Sequence, residues 1–373
     1  MSMDERIPAE VFPPGDFLKE ELDARGWTQV EFAEIIERDT RLVSEVISGK
    51  RMITPETAVV FSKALGTTPE LWMNLESQFQ LSKVRSNGDA SITRKAELHS
   101  RFPVREMIKR GWIEASKNVE VLESQILRFF GIASIEESPS FMHAAKKQSY
   151  EDTSIQQLAW LCRARNLALA APVQKFSDAK LPDVLIELKE HTEFVDGARQ
   201  VPSILFKAGI RFVIVEGLPS CKIDGACFWL DKSSPVIAMS LRFDRIDNFW
   251  HTLFHELDHV KHKEGMATPI IDIDILNNEE KPPHEIRANE AAADNLVSKK
   301  ELEGFIARVN PLFSDEAITG FARRLRIHPG IVVGQLQNRG LVPWSHHRKK
   351  LEKIREFVTS SALTDGFGRM INM

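Results

Sequence analysis

Residues 255–259 read H-E-L-D-H, an H-E-x-x-H pattern whose residue types suit metal-assisted hydrolysis. His255 and His259 are four residues apart, so on a helix both side chains lie on one face and can bind the same Zn²⁺ ion. Glu256 follows the first histidine and is placed to take a proton from a water at the zinc, whose pKa the ion lowers toward ~7. The pattern therefore predicts a zinc site with Glu256 as its catalytic base.

A catalytic zinc site needs a third protein ligand, and the next predicted helix offers two glutamates. Glu285 and Glu290 are five residues apart, so they point in different directions and only one of them is expected to bind. Each is followed one turn later by a polar residue, Asn289 or Asp294. We expect one of these to orient a zinc-bound histidine through its second ring nitrogen. The spacing alone leaves both glutamates open.

A peptidase also needs an electrophile for its tetrahedral intermediate and an edge strand that binds the substrate backbone. His251, His262 and His284 are the nearby candidates for the first role, because the one tyrosine, Tyr150, is distant in sequence. We expect residues 235–241, PVIAMSL, to form the edge strand that faces the substrate.

A second set of polar residues lies in a predicted helix-turn-helix at residues 28–49. Thr28 and Gln29 begin its first helix, where side chains and amides commonly contact DNA phosphates. Arg41, on its second helix, can donate a bidentate pair of hydrogen bonds to guanine. The predicted DNA contacts are Thr28, Gln29, Arg38, Thr40, Arg41, Ser44, Lys50 and Arg51.

Capping signals and the spacing of apolar residues predict the helices and strands that carry these side chains. Residues 1–82 carry five short helical segments; Thr28 with Glu31 forms a capping box, and Thr54 precedes a proline at the first helical position. Residues 83–200 keep the helical period. From 201 onward, the runs IRFVIVEGL, GACFWL and PVIAMSL predict three strands, followed by helices near 247–263 and 284–298.

The predicted fold class is therefore multidomain and mainly α, with a small α+β domain. The predicted domains are a five-helix helix-turn-helix domain (1–82), a helical connector (83–200), a zincin-like domain with a small sheet and the H-E-x-x-H helix (201–345), and a helical C-terminal tail (346–373).

Composition limits the partners and the compartment. The 373 residues carry 49 Lys and Arg against 53 Asp and Glu, a net charge of −4, which excludes DNA binding through bulk positive charge. The first 80 residues hold 8 basic and 15 acidic side chains, so any DNA contact must be confined to a small basic face. Three cysteines are too few for a disulfide framework, and no apolar run approaches the ~20 residues of a membrane span. We expect a cytoplasmic protein that does not enter a membrane.

The N-terminal part resembles the Xre-type helix-turn-helix of HigA-like, antitoxin-like regulators. The resemblance spans residues 7–81 and rests on PGDFLKEELDARGWTQVEFAEII, VSEVISGKRMITPETAVVFSKALG and TPELWMNLESQFQL. It implies a transcription regulator that binds double-stranded operator DNA as a homodimer.

Residues from about 201 to 300 resemble the ImmA/IrrE family of zinc metallopeptidases. The matching stretches are GIRFVIVEGLP, KIDGACFWL, PVIAMSLRFDRIDNFWHTLFHELDH and EIRANEAAADNLVS. The family motif E-x-x-A-N aligns on Ala288 and Asn289, so the resemblance favours Glu285 over Glu290 as third ligand. It also implies that His255 and His259 are the other ligands and that Glu256 is the base.

Together these features predict a regulator that binds operator DNA and cleaves a protein, such as a repressor or the chain itself, by zinc-activated water. An alternative is a non-proteolytic, antitoxin-like regulator that binds a toxin-like partner and uses the peptidase fold as a sensor or dimerisation platform. A third possibility is a peptidase whose acidic helical domain binds protein.

Overall fold

A computed structural model of the chain describes residues 12–85, 89–137, 139, 153–266, 268–273 and 282–365. The chain forms two compact units, Met1–Ala96 and Glu97–Met373. Tyr150 and the end of the predicted C-terminal tail lie outside the described residues.

The N-terminal unit contains the five predicted helices and the predicted helix-turn-helix. Thr28 accepts a hydrogen bond from the Glu31 amide in a capping box, and Thr54 caps the fourth helix by accepting a hydrogen bond from the Thr57 amide. Gly26 and Gly66 adopt positive φ at helix ends, a conformation that glycine reaches without strain. The helices are α1 (Pro14–Arg25), α2 (Gln29–Ile35), α3 (Thr40–Ile47), α4 (Pro55–Leu65) and α5 (Pro69–Arg85). Their apolar faces enclose a core that includes Leu18, Phe32, Val43, Phe61 and Trp72.

The helices that follow are short to medium in length, and the C-terminal unit also contains a small mixed sheet, as the predicted fold class requires. They are α6 (Asp89–Arg101), α7 (Val104–Lys109), α8 (Val119–Phe130), α9 (Ile155–Ala170), α10 (Leu181–Glu190), α11 (Val201–Ala208), α12 (Ile246–Lys261), α13 (Pro283–Leu296), α14 (Lys299–Val309), α15 (Asp315–Leu325), α16 (Pro329–Asn338) and α17 (Arg355–Thr359). No described helix is long and apolar enough to cross a membrane.

Among the described residues, the sheet has five strands in the order β4-β2-β3-β1-β5. They are β1 (Arg211–Ile214), β2 (Ile223–Trp229), β3 (Pro235–Met239), β4 (Ile270–Ile273) and β5 (Leu363–Thr364). β3 runs parallel to β1 and antiparallel to β2, and β4 pairs antiparallel with β2. The prediction that PVIAMSL is an edge strand is wrong, because β3 is central. Its fully apolar sequence suits a strand that is covered on both faces.

Both faces of the sheet are covered by helices. The strand residues alternate between two cores: Phe212, Ile237 and Met239 pack in one, and Val213, Val236 and Ala238 in the other. Helices α7–α9, from the segment predicted as a connector, supply the second core. Of these helices, α9 packs directly on strands β1 and β3.

Helix α12 lies in the first core and is buried around most of its circumference. Its residues from Ile246 to Val260 are buried with the exception of the half-buried His251. A helix that is surrounded by protein can hold polar side chains away from solvent, and α12 carries the H-E-x-x-H residues in this environment.

Candidate functional site

Helix α12 brings the two motif histidines together. His255 and His259 are both fully buried, and their Nε2 atoms lie 3.0 Å apart. This is the one-turn spacing that the sequence predicted. Two imidazole nitrogens at that distance need a shared proton or a cation between them.

Helix α13 adds Glu285 to the histidines. Its carboxylate oxygens lie 3.2 Å from His255 Nε2 and 3.5 Å from His259 Nε2. Glu290, the alternative third ligand, is exposed and does not belong to this cluster of described residues.

Strand β4 adds Asp272, a residue that the sequence pattern did not predict as a ligand. Asp272 is 3% exposed, and its Oδ2 lies 3.2 Å from His255 Nε2. The signal for it was the alternating sequence I-D-I-D-I at residues 271–275, a pattern that predicts a strand with its carboxylates on one face.

The four residues fit a divalent metal ion. One ligand atom from each of His255, His259, Asp272 and Glu285 lies within 4.8 Å of all the others. Ligand atoms around one tetrahedral zinc are about 3.3–3.6 Å apart, given bonds of about 2.0–2.2 Å. The measured contacts of 3.0–3.5 Å are close to that spacing. Two imidazoles with two carboxylates are a donor set that suits Zn²⁺.

Glu256 lies beside this cluster, fully buried against the sheet. A Cβ atom on Gly225 of β2 would come within 2.1 Å of Glu256 Oε1, so glycine is what allows the carboxyl group to fit there. Burial raises the pKa of Glu256 well above its ordinary value, and the neighbouring charge of Asp272 raises it further. The side chain of Asp272 is the neighbour that contacts the Glu256 carboxyl group.

The other charges in the site depend on each other. Burial acts to lower the pKa of His255, but the carboxylates of Asp272 and Glu285 outweigh it and raise that pKa to about 10. Burial acts in the opposite sense on Asp272, yet its contacts with His255 and Glu256 hold its pKa well below the usual range. The Asp272 and Glu285 carboxylates thus favour the charged form of the His255 imidazole.

The surrounding polar contacts differ from those predicted. Glu264 Oε2 lies 2.7 Å from His259 Nδ1 and also accepts a hydrogen bond from Arg287. Asn289, predicted to orient a zinc-bound histidine, contacts His251 instead at 3.3 Å. Asp294 accepts a hydrogen bond from the Lys299 amide at the end of α13.

The direction of α13 explains why Asn289 and Asp294 do not contact a cluster histidine. Glu285 lies beside His255 and His259, whereas Asn289 lies beside His251, so α13 runs antiparallel to α12. Each turn along α13 therefore moves one turn back along α12, away from the cluster. Glu264, which follows the end of α12, reaches the ring of His259 instead.

The three candidate electrophiles lie at different places. His284 Nε2 is 3.3 Å from Glu285, and this side chain is 40% exposed, so His284 stands where the cluster meets the surface. His262 contacts the carboxylate of Asp258 at the end of α12. His251 lies one turn before His255 along α12.

In the N-terminal unit, the predicted DNA contacts lie on the surface around α3. All eight are exposed except Thr40, which is half-buried. Thr28 is engaged in its own capping box, where its hydroxyl and amide both contact Glu31. Gln29 follows it at the start of α2.

Glu45 holds two of the predicted DNA-contacting arginines. Its carboxylate accepts a hydrogen bond from Arg41 Nε at 2.7 Å and lies 3.5 Å from Arg51. Glu45 lies on α3 itself, one turn beyond Arg41. The carboxylate of Glu45 therefore partly neutralises the positive charge of Arg41 and Arg51.

Comparisons with known proteins address the N-terminal unit. A profile described as helix-turn-helix matches residues 18–72. The Escherichia coli protein YddM, described as an uncharacterized HTH-type transcriptional regulator, is 33% identical over 82 residues, which are 22% of this chain and 87% of YddM.

Two solved structures are also similar over this part of the chain's length. A HigA-family addiction module antidote protein from Coxiella burnetii is 27% identical with a TM-score of 0.20, covering 24% of this chain and 94% of its own. A Pseudomonas aeruginosa protein solved with its operator DNA is 21% identical with a TM-score of 0.22, covering 22% and 90%. The profile match and the likeness to YddM establish that, through its N-terminal helix-turn-helix, this chain belongs to the HTH-type transcriptional regulators.

Proposed function

We propose that the chain is a transcription regulator that binds operator DNA as a homodimer and also cleaves a protein through a zinc site in its C-terminal unit. The observation that carries the second part is the convergence of four metal-binding side chains beside a buried glutamate. The resemblance of residues 201–300 to ImmA/IrrE metallopeptidases agrees with it.

The proposed roles follow from position. His255, His259 and Glu285 hold the metal, and Glu256 is the base that takes a proton from water. Zn²⁺ supplies Lewis acidity, which lowers the pKa of water and polarises a peptide carbonyl. Glu264 orients His259 through its Nδ1 atom.

Substrate would bind along β4. This strand stands at one end of the described sheet and carries Asp272 into the cluster, so its outer edge is next to the metal site. A peptide that adds to β4 as a further strand would bring its backbone to His284, the histidine candidate at the surface of the cluster.

Self-cleavage tests the hydrolytic proposal with a defined substrate. The purified full-length chain is incubated with Zn²⁺, and fragments are followed by mass spectrometry. Glu256→Gln is expected to retain zinc and to lose at least about 100-fold in cleavage rate, because the amide cannot accept the proton. Glu290→Gln is the matched control on α13 and should cleave as the parent does. Equal cleavage by Glu256→Gln and the parent would contradict the proposal.

One observation favours a second candidate, the non-proteolytic regulator that uses this fold as a sensor. Asp272 contacts both His255 and Glu256, and so stands where water would need to reach the base. Zinc binding without any cleavage, together with a zinc-dependent change in DNA affinity, would favour this candidate. A toxin-like protein remains its proposed partner.

The operator proposal rests on the helix-turn-helix and its exposed basic side chains. Fluorescence anisotropy with the DNA upstream of the chain's own coding region should show specific, salt-sensitive binding. A scrambled duplex should bind much more weakly, since the acidic unit offers little non-specific attraction. Sedimentation of the complex should give two chains per duplex. Equal affinity for both duplexes would overturn the proposal.

A further inference from the structure

Asp272 is a buried anion that has no lysine or arginine partner among the described residues. In the part of the chain that the structure describes, the single ion-pair contact of Asp272 is with His255, at 3.2 Å. No described lysine or arginine forms an ion pair with it. Other buried acidic groups in this unit are paired: Asp224 contacts Arg242 at 3.0 Å, and Asp247 contacts Arg245 at 2.6 Å.

The other carboxyl groups of the cluster likewise have no lysine or arginine partner among the described residues. Asp272, Glu285 and Glu256 bring three carboxyl groups together, and among the described residues their ion-pair contacts are with histidines alone. Taking charged groups out of water is unfavourable unless groups of opposite charge balance them. A divalent cation compensates two carboxylates at once, and it does so with the histidines neutral.

The strand pairing fixes Asp272 in this position. β4 pairs with β2 so that Asp272 lies opposite Gly225, the residue whose lack of a side chain makes room for Glu256. A register irregularity at Ile223 and Gly225 marks the same point. The ladder thus aims Asp272 at His255 from the sheet side, while Glu285 approaches from α13.

We infer that Asp272 is a fourth protein ligand, so that the resting chain holds its metal in a closed site of two histidines and two carboxylates. The inference rests on the proposed metal site and adds a restraint on it. Asp272 takes the coordination position that water needs in an open site, and it also engages Glu256. Hydrolysis would then require Asp272 to leave the metal, which makes β4 the element that controls access.

Cobalt binding to the full-length chain tests this inference, because the visible spectrum of Co²⁺ reports its coordination. The parent should bind one Co²⁺ with a four-coordinate spectrum that acetohydroxamate does not change. Asp272→Asn should bind Co²⁺ about 10–100-fold more weakly and should show a spectral change on adding acetohydroxamate. Asp224→Asn, a buried carboxylate on the neighbouring strand, is the matched control and should behave as the parent does.

A second variant, Asp272→Cys, tests the inference by a signal that appears rather than one that is lost. It therefore decides the matter even if Asp272→Asn folds poorly. Under a non-coordinating reductant, Asp272→Cys should acquire the intense near-ultraviolet band of a thiolate bound to Co²⁺, which the parent lacks. The inference is overturned if Asp272→Cys binds Co²⁺ without that band, or if acetohydroxamate already alters the parent's spectrum.

A His255→Ala variant distinguishes failure of the proposed metal site from failure of the inference about Asp272. If the parent binds Co²⁺ and His255→Ala does not, the metal site stands, and the Asp272 variants alone decide the inference. If the parent fails to bind, or His255→Ala binds equally well, the proposed metal site fails and takes the inference with it.

Discussion

The two candidate sites of this chain handle charge in opposite ways. Around α3, the charged side chains are exposed, and the acidic group that pairs with them, Glu45, comes from the same helix. In the cluster at α12, the charges are buried, come from three separated elements, and have no lysine or arginine partner among the described residues.

This difference sets the size of the effects that mutation should have. Exposed ion pairs contribute about 0–1 kcal/mol because water already solvates both partners. A buried charge depends on its few neighbours, so removal of one leaves the others uncompensated. The metal cluster should therefore respond steeply to single changes, and the DNA-facing surface more gradually.

The largest effect is expected for His259→Ala. Its Nε2 lies 3.0 Å from that of His255, so the variant removes one of the central nitrogen ligands. Zinc affinity, measured by competition with a chromogenic chelator, should fall at least about 100-fold. Glu290→Ala, an exposed position on α13, should leave the affinity unchanged. If both variants kept the parental affinity, the buried cluster would not be a metal site.

Arg41→Ala should have the next largest effect, on DNA affinity. Loss of a bidentate contact to a base costs about 1–3 kcal/mol, or about 5–150-fold in Kd. Fluorescence anisotropy on the upstream duplex measures it. Lys63→Ala removes an exposed charge from the last turn of α4 and serves as the control. Equal losses for the two variants would mean that bulk charge, rather than the α3 surface, carries the affinity.

Gly225→Ala tests the close approach of β2 to α12. The new methyl group would overlap Glu256 Oε1, so we expect the C-terminal unit to lose about 1–3 kcal/mol in free energy of unfolding. Gly320→Ala is the matched control, because nothing lies within 4 Å of its added Cβ. In the interior of α15 that change should stabilise by about 0.5–1 kcal/mol. Denaturant titrations that ranked the two variants in reverse would refute the packing described at Glu256.

The smallest predicted effect belongs to Glu45→Gln. This variant frees Arg41 and Arg51 from their shared carboxylate, so DNA affinity should rise about 2–5-fold. The gain should shrink as salt concentration increases, because the pairs are exposed. Weaker binding by this variant would indicate that Glu45 orders the arginines for contact rather than neutralising them.

The sequence was sufficient for the N-terminal unit because its signals are local. The Thr28 capping box, the Thr54 cap and the glycines at helix ends each act within a few residues, and the structure contains them all. The three predicted strands were likewise continuous apolar runs, and they form the buried part of the sheet.

The metal cluster was predictable only in part because it depends on long-range pairing. His255 and His259 follow from one helix turn, but Asp272 reaches them through the β4–β2 ladder. Sequence spacing could not show that β3 lies inside the sheet or that β4 stands at its end. The roles given to Asn289 and Asp294 failed for a related reason, since the relative direction of α12 and α13 was unknown.

X-ray absorption of the zinc-loaded, full-length chain would show directly which atoms bind the metal. We expect one Zn²⁺ per chain, bound by two imidazole nitrogens and two carboxylate oxygens at about 2.0–2.2 Å, with no sulfur ligand. His255→Ala should abolish this signal. Zinc bound by thiolate, or by the same ligand shell in His255→Ala, would show that the proposed metal site is wrong.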